Sequence, residues 1–191
     1  MILVAGITAS VLIQTMNSLE QTALRTGEET IRDISSGIKV THVSGYNSNS
    51  TITQMVVFIE LTGASDAIDL TYTYIVLSDG ITKVILHYNS SHFSSSVSGG
   101  LFGTLSTDNM SATEYGVMVV RDIDGSCQST SAVINSDDLI VLLINTSACF
   151  SGGISPRTEV SGSIMPEYGF KGSIAFSTPS TLTHTIIDLQ S

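Results

Sequence analysis

VLIQTMNSLEQTALRTGEETIRDISSGIKV, residues 11–40, carries apolar side chains at Leu12, Met16, Leu19 and Ala23. That 4-3-4 spacing puts them on one face of a helix. Polar and charged residues then gather at Glu20, Arg25, Glu28, Glu29, Arg32 and Asp33, and Glu28 to Arg32 is an i, i+4 pair of favourable direction. The pattern predicts helix to about Ser36, with Gly37 as a left-handed cap, and a strand beginning through Ile38, Val40 and Val43. Upstream, Met1–Leu19 contains no charge, and Val4, Ile7 and Val11 extend the apolar surface. The unbroken apolar part is shorter than the roughly 20 residues of a membrane span, and no Lys or Arg precedes it as in a secretory signal.

A helix of about 36 residues is on the order of 54 Å long. Its apolar half cannot fold back onto a domain of the size left to the chain, and exposing it to water costs about 25 cal/mol per Å². Copies of the same helix, or a membrane, must cover Val4, Ile7, Val11, Leu12, Met16, Leu19 and Ala23. The plan is that of a filament subunit.

Everything after Gly37 reads as strands and turns. Residues 52–62 (ITQMVVFIELT) are β-rich, 70–77 (LTYTYIVL) alternate through Leu70, Tyr72, Tyr74 and Val76, and Asp79-Gly80 marks a hairpin into ITKVILHY. Further strands are expected over 114–121, 126–134, 139–145, 158–164, 172–176 and 182–189. The fold class is therefore α+β, a long N-terminal helix followed by an all-β sandwich or open barrel. Residues 1–37 form the helix and 38–191 the head, in which 89–100 (NSSHFSSSVSGG) reads as an exposed loop.

Composition narrows the function. The 191 residues hold 7 Lys+Arg against 17 Asp+Glu, a net charge of -10, so no basic surface exists for nucleic acid. Polarity comes from 52 Ser and Thr rather than from ions. Catalytic motifs are missing from the sequence. His42, His87, His92 and His184 are scattered, His87 and His92 fall on opposite faces of a strand, and the glycine-rich stretches lack a phosphate-binding lysine. No catalytic residue and no required cofactor is expected.

Three features carry weaker expectations. In Asp122-Ile123-Asp124-Gly125 two carboxylates flank a turn where Ca²⁺ could be held, with Asp137 or Asp138 as a further ligand; a plain turn is the alternative. Cys127 and Cys149 form either one bridge or two separate buried thiols. Acceptor motifs for N-glycosylation stand at Asn49, Asn89, Asn109 and Asn145, with Asn89 and Asn49 the better placed and Asn145 at the end of an apolar strand.

The run VLIQTMNSLEQTALRTGEETIRDISSGIKV resembles the N-terminal helix and first strand of archaeal flagellins (archaellins). The later VVRDIDGSCQSTSAVINSDDLIVLLIN and ISPRTEVSGSIMPEYGFKGSIAFSTPSTLTHTIIDLQ resemble their C-terminal half, most specifically at Pro156-Arg157-Thr158, at 162–167 with Gly169 and Gly172, and at 176–179. The resemblance implies a subunit of the archaellum, with a type IV pilin-like helix inside the filament and an Ig-like β-sandwich outside, extracellular and giving motility. It also implies a homopolymer that includes sister archaellins, a motor and membrane platform during assembly, and a prepilin-type peptidase acting on a basic signal. Relative to that pattern Met1 falls in mid-helix, so the resemblance implies a chain truncated at its start. It further implies N-linked glycans at such acceptor motifs and bound metal in some heads. The alternative is a pilin-like or cell-surface adhesin anchored by the same helix.

Overall fold

The computed structural model of the chain describes residues 2–62 and 67–191. The predicted helix is α1, Ile2–Ser35, with Arg25 and Glu29 paired at 2.9 Å. Four of its threonines donate back to the preceding turn, Thr8 to the Val4 carbonyl at 3.1 Å, Thr15 to Val11 at 2.5 Å, Thr22 to Ser18 at 2.8 Å and Thr30 to Thr26 at 2.7 Å. These hydroxyls therefore need no outside partner, and the helix can be buried without stranding them.

Gly37 ends the helix differently from the expected left-handed cap, since it is not among the residues with positive φ. The chain passes straight into β1 (Ile38–Ser48), and residue 37 pairs as an isolated bridge with Phe170. A Cβ on Gly37 would stand 2.9 Å from the Phe170 Cβ. Glycine is needed here for close approach.

The head is built on β1, β2 (Thr51–Leu61), β3 (Ile68–Asp69), β4 (Tyr74–Ser78), β5 (Lys83–Ser94), β6 (Glu114–Arg121), β7 (Cys127–Gln128), β8 (Ser131–Ile134), β9 (Leu139–Ile144), β10 (Glu159–Met165), β11 (Gly172–Ser177) and β12 (Ile186–Gln190), with a short helix α2 (Thr146–Cys149) after β9. Nine strands make one sheet in the order β11-β10-β4-β5-β6-β9-β2-β1-β12, and β3-β8-β7 make a small second one. All neighbours are antiparallel except β5 and β6, which run parallel, so the chain between them must cross over.

The large sheet curls until its two edges meet. Gln190 of β12 accepts from Ala175 N of β11 at 2.9 Å and donates to Ser173 O at 3.3 Å, so a side chain links the first and last strands. Inside the curl lies the main core, with Val43, Met55, Ile59, Ile75, Leu77, Leu86, Tyr115, Ile140 and Ile164 all fully buried. Tyr115 directs its hydroxyl at the carbonyls of Leu70 and Thr73 at 2.9 and 3.0 Å, and burial pushes its pKa well up. A smaller core of Val56, Met110, Met118, Val141 and Leu143 lies on the other face of the sheet under Leu101, Phe102 and Leu105. The crossover segment 95–113 is thus a packed cover as well as a loop.

Several sequence expectations need correcting. Residues 89–94 belong to β5 rather than to a loop. The alternation expected over 70–77 holds at Leu70 but is reversed from Thr73 onward, with Thr73, Ile75 and Leu77 inward and Tyr72 and Tyr74 outward. The cause is a 3-10 turn at Leu70–Tyr72, capped by Asp69, which shifts the register of facing before β4 begins. The expected single strand over 126–134 is a tight pair, β7 and β8. For Cys127 and Cys149 the fold has the second of the two alternatives, two separate thiols. Both are buried free thiols, one in β7 and the other in α2 with its Sγ 3.5 Å from Ala112 O, and burial pushes them up to about 12 and about 11.

Candidate assembly surface and acidic turn

Every side chain of α1 from Val4 to Ile34 is exposed in the single chain. Leu12, Met16 and Leu19 are 64%, 69% and 67% exposed, and Val4, Ile7, Val11 and Ala23 are exposed with them. The head therefore leaves all seven predicted assembly residues without cover, on a scale that water does not tolerate in a free monomer. Leu24, Ile31 and Ile34 are equally bare; the sequence reading passed over them because the charges around them dominate that stretch. Among the described residues no helix is long and apolar enough to cross a membrane.

The base of the helix is bolted to the head. Phe170 N donates to Ser36 O at 2.8 Å and Ile38 N to Phe170 O at 3.0 Å, while Thr62 N donates to Gly37 O at 3.0 Å. The Arg32 guanidinium lies 3.7 Å over the Tyr168 ring, and Tyr168 in turn donates its hydroxyl to Ala67 O. Gly169 makes this approach possible. It sits at φ +86, and a Cβ there would overlap the Ser36 carbonyl oxygen.

At the β6–β7 turn the structure brings together Asp122, Asp124 and Asp138, with one oxygen of each within 4.8 Å of the others. Asp137 is not in the cluster; its carbonyl accepts from Arg121 Nε at 2.7 Å. Asp122 accepts from Gly125 N at 2.8 Å and Cys127 N at 3.1 Å, and Asp124 from Ser126 N at 3.0 Å and Asn135 Nδ2 at 2.8 Å. Asp138 is 2% exposed; its Oδ2 accepts from Asn135 N at 2.9 Å, but its buried Oδ1 has no partner. Burial first, then the neighbouring Asp122 and Asp124 charges, push the Asp138 carboxyl above its ordinary range against the pull of the Asn135 N–H and, more weakly, the Ile123 N–H. Hydrogen bonds from Ser126 hold Asp124 below it. A buried carboxylate oxygen that makes no hydrogen bond of good geometry, beside two more carboxylates, fits a hard divalent cation of oxygen-rich coordination.

A serine, a histidine and an aspartate also meet at the β1–β12 edge, but in the wrong order for a relay. His42 Nε2 faces both Ser44 Oγ at 2.8 Å and Asp188 Oδ1 at 3.3 Å, whereas activation of a hydroxyl needs base and orienter on opposite ring nitrogens. The ring packs edge-on against Phe58, 5.6 Å away. His92 Nε2 reaches Glu114 at 4.0 Å on the β5–β6 pair.

The archaeal-type flagellin family model matches residues 1–176. The chain belongs to that family. It is 40% identical to Flagellin B2 of Methanocaldococcus jannaschii over 194 residues, covering 100% of this chain and 89% of the relative. With Flagellin B1 of Methanococcus voltae it shares 38% over 195 residues, again 100% and 89%. The crystal structure of archaeal flagellin FlaB1 from Methanocaldococcus jannaschii superposes with a TM-score of 0.73 at 30% identity, over 81% of this chain and 97% of that one. The archaeal flagellum of Methanospirillum hungatei has the same fold, with a TM-score of 0.68 at 11% identity over 100% and 92%. As an archaeal flagellin the chain is a structural subunit of a motility filament.

On this archaeal flagellin the four acceptor asparagines are not equivalent. Asn49 is exposed at the β1–β2 turn, with φ 53, and Asn109 is exposed on the cover segment. Asn89 is half-buried in β5 and its Oδ1 accepts from Ser91 N at 2.9 Å. Asn145 is committed to structure. It caps α2 through Ala148 N at 3.2 Å, and its Nδ2 donates to Thr107 O at 2.9 Å and Met110 O at 3.2 Å. A glycan on that nitrogen would break the link between β9 and the cover segment, which is why sequence reading alone could rank Asn145 low but not exclude it.

Proposed function

We propose that α1 is the core-forming element of an extracellular archaellum filament, a homopolymer that admits sister archaellins, and that the β-head forms the outer wall. The observation that carries this reading is the full exposure of α1 from Val4 to Ile34 on a head that is otherwise closed on itself. Burying Leu12, Met16 and Leu19 among sibling helices contributes about 1.5–3 kcal/mol each, and the self-bonded threonines let the helix enter a dry interior. The same reading brings in the membrane platform and motor as assembly partners, a prepilin-type peptidase acting on the precursor, and glycans on the outward Asn49 and Asn109. Electron microscopy of filaments sheared from the source cells, with peptide mass spectrometry on the same material, tests it. Fibres containing this chain with α1 inside are expected; the chain on the cell surface but absent from fibres would favour an anchored adhesin.

We assign Ca²⁺ to the cluster of Asp122, Asp124 and Asp138, with Asp138 as the buried anchor. Because the folded-state pKa of Asp138 is raised, its stability cost is absent below its unfolded value and grows as pH rises toward the folded one. The contribution of Asp138 to the metal-free chain is therefore expected to turn against folding as the pH climbs out of the acidic range, opposite in sign to those of Glu114 and Asp124, whose pKa values are lowered, and Ca²⁺ to offset it. Asp138→Asn should stabilise the metal-free chain by about 1–3 kcal/mol, the scale of one buried unpaired polar group, and abolish the response to Ca²⁺. Calorimetry with and without a chelator checks both, and an unchanged response in the Asn variant would remove the assignment.

A further inference from the structure

The turn between β4 and β5 ends in an apolar knob. Ile81 is 94% exposed, the barest large apolar side chain among the described residues. The knob is also held in shape. Asp79 Oδ1 accepts from Ile81 N at 2.9 Å and from Thr82 N at 2.6 Å, and Asp79 N donates to Thr82 O at 3.2 Å. Gly80, with nothing within 4 Å of the place a Cβ would take, keeps the tip slim. A turn fixed in this way loses little freedom when it is buried.

At the far end of the same strand lies a groove that suits it. Just past β5, Ser95 and Val97 form one wall of a space of about 770 Å³, and Val119, Val120 and Arg121 of β6 with Cys127 of β7 form the rest. Val97 and Val120 are exposed there, as is Ile123 on the adjoining turn. The rim carries Arg121 and Asp122, and the hairpin carries Asp79 and Lys83, so each sign of charge on one side has its opposite on the other. The register sets knob and groove apart. Lys83 pairs with Ser78 at the start of β5, whereas Ser94 pairs with Met118 toward the end of β6, a separation of roughly 30 Å at about 3.3 Å per residue. One chain cannot fill its own groove.

We propose that the β4–β5 hairpin tip of one subunit, with Ile81 foremost, seats in the Val97–Val120 groove of a second copy of this chain. A knob at one end of a molecule and a complementary hole at the other make a head-to-tail contact, which propagates instead of closing. The contact takes Ile81, Val97 and Val120 out of water together. A second copy is selected as the occupant because both halves stand on one chain and their charges are matched. The proposal rests on the subunit reading above and concerns contacts between heads, not those of α1.

Photo-crosslinking in filaments tests it. Heavy isotope-labelled chains carrying a benzophenone amino acid at Ile81 are mixed with light wild-type chains, and crosslinked peptides from the fibres are mapped by mass spectrometry. The probe is expected to join 95–97 or 119–128 of a light chain. Fibres that contain both chains but give crosslinks from position 81 only to other surfaces, only within one copy or not at all would overturn the proposal and leave the subunit reading standing. A chain that never enters fibres would remove both. The critical concentration for assembly is a second measure. Ile81→Asp and Val120→Asp should each raise it by at least ~10-fold, the effect of about 1.4 kcal/mol, and Ile81→Val by no more than ~2-fold. Because Ile81 lies almost wholly in water, its replacement leaves the head folded. A wild-type critical concentration for Ile81→Asp would contradict the proposal.

Discussion

Leu12→Asp and Leu19→Asp are each expected to abolish filaments while leaving the head folded. In the single chain both leucines are about two-thirds exposed, at 64% and 67%, so either change falls among surface substitutions that alter stability by no more than about 0.5 kcal/mol. In an assembled core the same change removes about 1.5–3 kcal/mol of burial and buries a carboxylate at an effective cost of several kcal/mol. The penalty recurs at every copy. A loss above about 4 kcal/mol per subunit lowers association roughly a thousandfold, enough to end polymerisation. Circular dichroism should show an unchanged β-signal and microscopy an absence of fibres. Normal filaments from either variant would contradict a helical core built on this stripe.

Gly169→Ala is expected to have the largest effect on the chain itself. Gly169 combines a left-handed φ of +86 with a backbone approach in which any Cβ would overlap the Ser36 carbonyl oxygen. Gly80, at φ +85 with nothing within 4 Å, isolates the first contribution. Gly80→Ala should cost about 1 kcal/mol, the conformational term alone. Gly169→Ala should cost about 3 kcal/mol or more, because relieving the overlap pulls apart the 2.8 and 3.0 Å bonds that join Phe170 to Ser36 and Ile38. For a chain of this size the melting temperature should fall by roughly 6–12 °C in the second case and by 2–4 °C in the first. Equal shifts in the two variants would mean that the corner between helix and head is not held by this approach.

What could be read from the sequence was whatever depends on short-range periodicity. The α1 stripe, the β4–β5 hairpin at Asp79-Gly80 and β2, β6 and β9 lie within a residue of where apolar spacing and turn chemistry placed them. Two of the failures, at Gly37 and at 89–94, have their origin in long-range partners. Gly37 reads as a helix cap until Phe170 is known to lie against it. Serine-rich 89–94 reads as loop until parallel pairing with β6 makes it strand. The phase of 70–77 is set by a local 3-10 turn that alternation alone does not reveal. At the acidic turn, Asp122 and Asp124 were visible as a motif, whereas the choice of Asp138 over Asp137 depends on which of two adjacent residues faces inward at the start of β9. Spacing left two alternatives for the cysteines; in the fold they are free thiols at separate buried sites.

The side-chain stitch made by Gln190 has a bearing on life in a polymer. Heads held side by side along a fibre meet at very high local concentration, where any bare strand edge invites a neighbour's backbone to add to it. In this head one glutamine amide of β12 takes up the Ala175 N–H and the Ser173 carbonyl on the open edge of β11. At those two positions β11 has no free backbone donor or acceptor to offer a crowded neighbour, which disfavours strand addition between heads there.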